Sequence, residues 1–118
     1  MFNFEKLDVW QKAIMLADVV YHDTRGFPGD ERFGLTNQMR RSVVSMSSNI
    51  AEGSSRSSKS DFGRFVEIAT GSVFELVSQG FIARRQNFLS DENFRAIYVS
   101  SEEIGRMLSG LRNSLTER

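Results

Sequence analysis

The side chains that carry most enzyme chemistry are scarce in this chain. It has one histidine, His22, and no cysteine. Disulfides, thiolate nucleophiles and cysteine-ligated metals are therefore excluded. His22 has no Glu-x-x-His spacing, so the carboxylate–histidine pattern of di-iron bundles is absent. A transition metal would lack its usual ligands. A serine hydrolase would need His22 as its base, and no Gly-x-Ser-x-Gly turn presents a nucleophile. There is no Walker A sequence and no Gly-x-Gly-x-x-Gly. The carboxylate pairs Asp30-Glu31, Asp91-Glu92 and Glu102-Glu103 fall at helix starts or on exposed faces. Acids in a first helical turn answer the helix dipole. The residues thus point to no catalytic group, no metal and no cofactor, and to a chain that is not an enzyme.

One place suggests recognition instead. Arg56, Lys59 and Arg64 flank the serine-rich turn Ser54-Ser55-Arg56-Ser57-Ser58, just before a predicted helix. Free backbone N–H groups and the positive dipole end favour an anion there, so these three are the candidate anion or nucleic-acid ligands. The plainer reading is that they simply pair with Glu52, Asp61 and Glu67 at helical spacing. Arg40-Arg41 and Arg84-Arg85 are two further basic doublets. Over the whole chain, 15 basic residues balance 15 acidic ones, which gives no general case for a polyanion binder. The balance is uneven by segment, however: residues 32–64 hold six basic and two acidic groups, and residues 1–31 three and six.

The elements that must position these residues read as four helices. The 118 residues, 40% apolar and 25% charged, make one globular domain over 1–118. The only proline, in Gly26-Phe27-Pro28-Gly29, breaks the first two periodic segments apart. The break at Glu52-Gly53-Ser54 offers Gly53 as a helix C′ residue, and Ser58 with Asp61 resembles a capping box. A third break has Ser90 as N-cap before Asp91 and Glu92. Helices are predicted at about 8–25, 30–52, 58–88 and 91–116. The seam of the fourth is Phe94, Ile97, Tyr98, Ser101, Ile104, Leu108, Leu111 and Leu115. That of the second is Leu35, Met39, Val43, Met46 and Ile50. Short connections make successive helices antiparallel, and the fold class is all-α: an antiparallel up-down-up-down four-helix bundle. The start shows no targeting segment, and the longest apolar run, Ala13–Ala17, is far short of a membrane span. A cytoplasmic protein with no membrane partner is expected.

Two helices carry more apolar surface than one bundle stripe requires. In the third, Phe62, Phe65, Ala69, Val73 and Leu76 form a core stripe, and Val66, Phe74, Val77 and Phe81 a second flank. The first has a wide apolar arc from Val9 to Tyr21, with Met15 and Val19 on its polar side. Surplus apolar surface at helical spacing marks an interface, so a homo-oligomer is expected, with Val66, Phe74, Val77 and Phe81 as its candidate interface. The second helix has a row of small polar groups, Ser42, Ser45, Ser48 and Asn49, over which another helix could come close. Gly63, Gly71 and Gly80 inside the third helix suggest close contact with a neighbouring helix.

Three separated stretches resemble a known family. Phe4-Glu5-Lys6-Leu7-Asp8-Val9-Trp10-Gln11-Lys12-Ala13 resembles the opening of the small bacterial four helix bundle proteins, also called 23S rRNA-intervening sequence proteins. The likeness continues at Asn49-Ile50-Ala51-Glu52-Gly53 and at Asp61-Phe62-Gly63-Arg64-Phe65, then at Ile68-Ala69, Gly71-Ser72 and Glu75-Leu76. This resemblance implies a cytosolic four-helix bundle assembled as a ring-like homopentamer, with no known catalytic residues. The family name records where the genes lie, inside intervening sequences of ribosomal RNA. A distant relative by fold, the accessory protein of diversity-generating retroelements, is a strongly basic pentamer that binds nucleic acid. The balanced charge of this chain departs from it. Two roles follow as expectations: an oligomeric adaptor for a partner protein or RNA, or a weak, sequence-indifferent nucleic-acid binder.

Overall fold

The four periodic segments fold as four helices in a computed structural model that describes residues 1–116. They are α1 (Asp8–Thr24), α2 (Leu35–Ser54), α3 (Lys59–Arg85) and α4 (Asp91–Ser114). Each packs on its neighbours in a square: α1 on α2 and α4, and α3 on the same two. Neither diagonal pair, α1 with α3 or α2 with α4, makes a seam. The bundle measures 47 × 22 × 20 Å, its long axis close to the ~40 Å that 27 helical residues span. The predicted seams hold at their centres, while Leu35, Tyr98, Leu111 and Leu115 are only half-buried against the core. Met39, Val43, Met46 and Ile50 of α2 and Ile97, Ile104 and Leu108 of α4 are all buried.

The N-terminal ends show how local chemistry sets the boundaries. The α2 helix starts five residues later than its apolar pattern predicts, at Leu35 instead of position 30. Residues Gly29–Glu31 form a 3₁₀ turn instead, and the backbone turns sharply at Gly34 (φ −107°, ψ −118°). The Glu31 carboxylate accepts the Leu35 N–H at 3.1 Å, so this acid caps the helix from outside. Ser58 and Ser90 are N-caps, accepting from the N–H groups of Asp61 (3.1 Å) and Asn93 (3.0 Å). Ahead of α1, a 3₁₀ turn at Asn3–Lys6 has no counterpart in the predicted helices. Its Phe4 ring meets Trp10 edge-on at 4.8 Å.

At its other end, α3 stops at Arg85, short of position 88, because Asn87 takes the left-handed conformation (φ 64°). Phe88 N–H then bonds Ala83 O and Asn87 N–H bonds Arg84 O, which closes a Schellman turn. Phe88 then packs 5.8 Å from Phe27 of the α1–α2 connection.

Gly53 is not the C′ residue its position suggests. The helix runs through it to Ser54, and no glycine among the described residues has a positive φ. It is a glycine because of packing. A Cβ there would lie 2.8 Å from Phe65 Cβ and 2.9 Å from the Phe62 ring. The row of small polar groups on α2 serves the same contact. Ser72 Oγ donates to Ser45 Oγ (2.9 Å), and Ser42 Oγ donates to Gln79 Oε1 (3.0 Å). The helix that comes close is thus the chain's own α3.

At Gly63 a Cβ would press on the Arg112 guanidinium (3.0 Å), at Gly80 it would make only ordinary contact with the Phe94 ring (3.5 Å), and Gly71 faces open space. An alanine at Gly53 should therefore destabilise the fold by ~1–3 kcal/mol, despite its better helix propensity. Gly110, in α4 with nothing within 4 Å, should gain up to about 1 kcal/mol from the same change. Denaturant midpoints of Gly53→Ala and Gly110→Ala moving in opposite directions would bear this out.

Candidate functional site

The three basic residues before α3 do not form a free cationic patch. Arg56 donates to Glu52 Oε2 at 2.7 Å and lies 4.7 Å over the Phe65 ring. Arg64 pairs with Asp61 at 3.6 Å. Only Lys59 of the three has no ion pair among the described residues. Glu67, expected to help neutralise this turn, instead accepts from Arg112 of α4 at 2.8 Å. The arginine doublets divide in the same way. Arg40 donates to Thr24 Oγ1 (2.9 Å) and stacks on Tyr21, which ties α2 to α1. Arg84 lies 4.2 Å over the Phe94 ring and 3.9 Å from Asp91, which ties α3 to α4. Arg41 and Arg85 are exposed. His22 stands at the surface beside Asp23 (3.2 Å). Among the described residues no three His, Cys, Asp or Glu side chains converge as metal ligands.

A groove of about 930 Å³ lies between α3 and α4. Phe74, Val77, Phe81 and Ile82 line its α3 side and Tyr98 its α4 side. Phe74 is 71% exposed and Phe81 40%. Phe81, Phe94 and Tyr98 form an aromatic cluster at one end, with centroids 4.7–6.1 Å apart. The lining also includes Ser101 and Gly105, one turn apart on α4. Ser101 Oγ is buried and has no hydrogen-bond partner. Arg85 and Glu102 with Arg106 supply the charge.

The predicted interface flank needs one correction. Val66 is fully buried and belongs to the core. The inward row of α3 is Val66, Ala69, Val73, Leu76, Gly80 and Ala83, advancing by threes and fours. Phe62 and Phe65, assigned to that row in sequence, are only half-buried and sit over Gly53. Phe74, Val77 and Phe81 do share the outer flank, with Val77 half-buried. Sequence periodicity missed Ile82 and the α4 wall. A serine at an otherwise apolar seam position, Ser101, was the available signal for that wall.

An 18-residue window of α3 reaches a mean hydropathy of 1.2, enough by length and composition for a membrane span, and 33% of it is buried. The serine and glutamine bonds to α2 and the aromatic cluster with α4 hold this helix in the bundle.

The family model for 23S rRNA-intervening sequence proteins matches residues 5–110. The chain belongs to that family. A crystal structure of a protein with unknown function, from the S23 ribosomal protein family of Bacteroides thetaiotaomicron, has the same fold. It is 23% identical, with a TM-score of 0.79, and the match covers 88% of this chain and 97% of that one. No curated protein matches the chain. Neither the family's name nor the description of that structure names an enzymatic activity. Phe4, just outside the matched region, packs on Trp10 inside it, while Gly53 and Phe65 meet within it at the α2–α3 contact.

One ion pair outside the groove has a measurable signature. Lys12 of α1 bonds Glu103 of α4. That hydrogen bond and the ammonium charge hold the Glu103 carboxyl below the ordinary glutamate range. A carboxyl lowered by folding adds stability above its unfolded pKa and loses it as pH falls through the folded one. NMR titration should find Glu103 ionised to lower pH than an isolated glutamate, and Lys12→Met should raise its pKa.

Proposed function

We propose that this chain is a non-enzymatic scaffold or adaptor that works as a homo-oligomer, with the α3–α4 groove as its self-contact. The supporting observation is Phe74. A phenylalanine 71% exposed in the middle of an apolar groove costs solubility unless something covers it. Val77, Phe81 and Ile82 extend the same surface along two turns of one helix. Aromatic residues ringed by arginine are the composition of an interface core. Five copies is the count that the family resemblance implies. The assembled surface is then available to a partner protein. Nucleic-acid binding draws less support, because Arg56 and Arg64 are already paired within their turn and Lys59 stands alone.

Light scattering at micromolar concentration should give a mass several times 13.4 kDa. Phe74→Glu should lower that mass and leave the helical circular dichroism intact. Asn37→Glu, an exposed change in the first turn of α2, should leave the mass unaltered. A 13.4 kDa mass for the unmodified chain would overturn the proposal.

A further inference from the structure

We infer that the α3–α4 groove is also a small-molecule site, for an amphiphile whose carboxylate head is joined to an apolar chain through a carbonyl, the chemistry of an N-acyl amino acid. This rests on the self-contact proposed above and adds its regulation: ligand and second copy need the same surface, so the ligand disperses the assembly. The volume of about 930 Å³ lies in the range of small-molecule pockets. The groove follows α3 from Thr70 to Arg85, which is ~22 Å of helix. That is a long trough, the shape of an extended chain and not of a compact ring system. Phe74, Val77 and Phe81 give it an apolar wall.

Two polar groups without partners set the chemistry. The first is Ser101, which lines the floor and whose buried Oγ has no hydrogen bond among the described residues. Burying a hydroxyl unpaired is costly, and a carbonyl oxygen lying on the floor would accept from it. The α4 wall is low there, because Gly105 and Ser109 continue the same face one and two turns on. A chain can therefore pass directly over α4.

The second is Arg85, which meets the head group. It is exposed at one end of the groove and has no ion pair among the described residues. Glu102 and Arg106, one turn apart on α4, offset each other, which leaves Arg85 as the uncompensated charge of the lining. The spacing agrees. Tyr98, three residues before Ser101, faces Phe81 at 6.1 Å, and Phe81 is four residues before Arg85. Ser101 and Arg85 are thus ~10 Å apart along the groove, a span that an arginine side chain and an amide-linked carboxylate fill together. The apolar chain then runs the other way, past Phe74 toward Thr70 and Ser109.

Three probes test this on the full-length chain, each used below its micelle concentration: N-decanoylglycine, its uncharged amide N-decanoylglycinamide, and tridecanoate, which keeps the charge and length but lacks the inner carbonyl. Calorimetric titration should give one N-decanoylglycine per chain, with either analogue bound about tenfold more weakly. Arg85→Gln should erase the preference over the amide, and Ser101→Ala the preference over tridecanoate, each leaving the other preference in place. Light scattering at saturation should fall to the 13.4 kDa monomer. Equal affinity for the three probes, or no saturable binding, would overturn the site. An oligomeric mass unchanged at saturation would overturn the competition. A chain that is monomeric from the start yet shows both preferences would overturn the self-contact and leave the ligand site standing. An oligomer that binds none of the probes would do the reverse.

Discussion

The close approach of α2 to α3 governs the rest of this molecule. Gly53 lets the Phe62 and Phe65 side chains sit against the α2 backbone, and two side-chain hydrogen bonds farther along keep the helices in register. Such short polar contacts fix the rotation of α3 about its own axis. With Ser72 turned toward α2, Phe74 lies two residues and about 200° further round, on the opposite side. The same constraint that buries Val66 and Val73 therefore exposes Phe74 and opens the groove beside α4. A greasy outer flank is thus a geometric result of the tight hairpin and not a looseness in the core.

How much of this was legible in the sequence depended on what each residue answers to. The four helices, their order and the seams of α2 and α4 follow from apolar spacing, because a bundle core is the only place those stripes can go. Ser58 and Ser90 follow from capping chemistry, which is local. The start of α2 was not legible, since Glu31 reaches forward four residues to cap it from a 3₁₀ turn. Gly53 was misjudged because a glycine near a helix end suits two unrelated causes, a left-handed cap or a close neighbour, and only the position of Phe65 separates them. Asn87 performed the capping that glycine often performs elsewhere.

The candidate site divides along the same line. Phe74, Val77 and Phe81 were legible as one flank because they recur at helical spacing. Val66 was misplaced by one row of the helical wheel, a difference set by rotation of α3 and not by its composition. The basic residues before α3 were legible as charges but not as partners. Arginine can reach both an acid and an aromatic face: Arg56 does so with an acid one turn away, and Arg84 with an acid on the next helix. Four arginines, Arg40, Arg56, Arg84 and Arg112, tie one helix to another, a use that suits the planar guanidinium better than a lysine ammonium.

The N-terminal 3₁₀ turn gives the molecule a built-in optical reporter. Trp10 is the chain's single tryptophan, and it is half-buried, packed against the core and capped edge-on by Phe4. Its fluorescence therefore follows whether the first seven residues are docked. Backbone dichroism follows the helices themselves. Terminal segments of this kind detach at lower free energy than the body of a domain. The two signals will then separate on gentle denaturation, with the indole emission shifting first while the bundle stays folded.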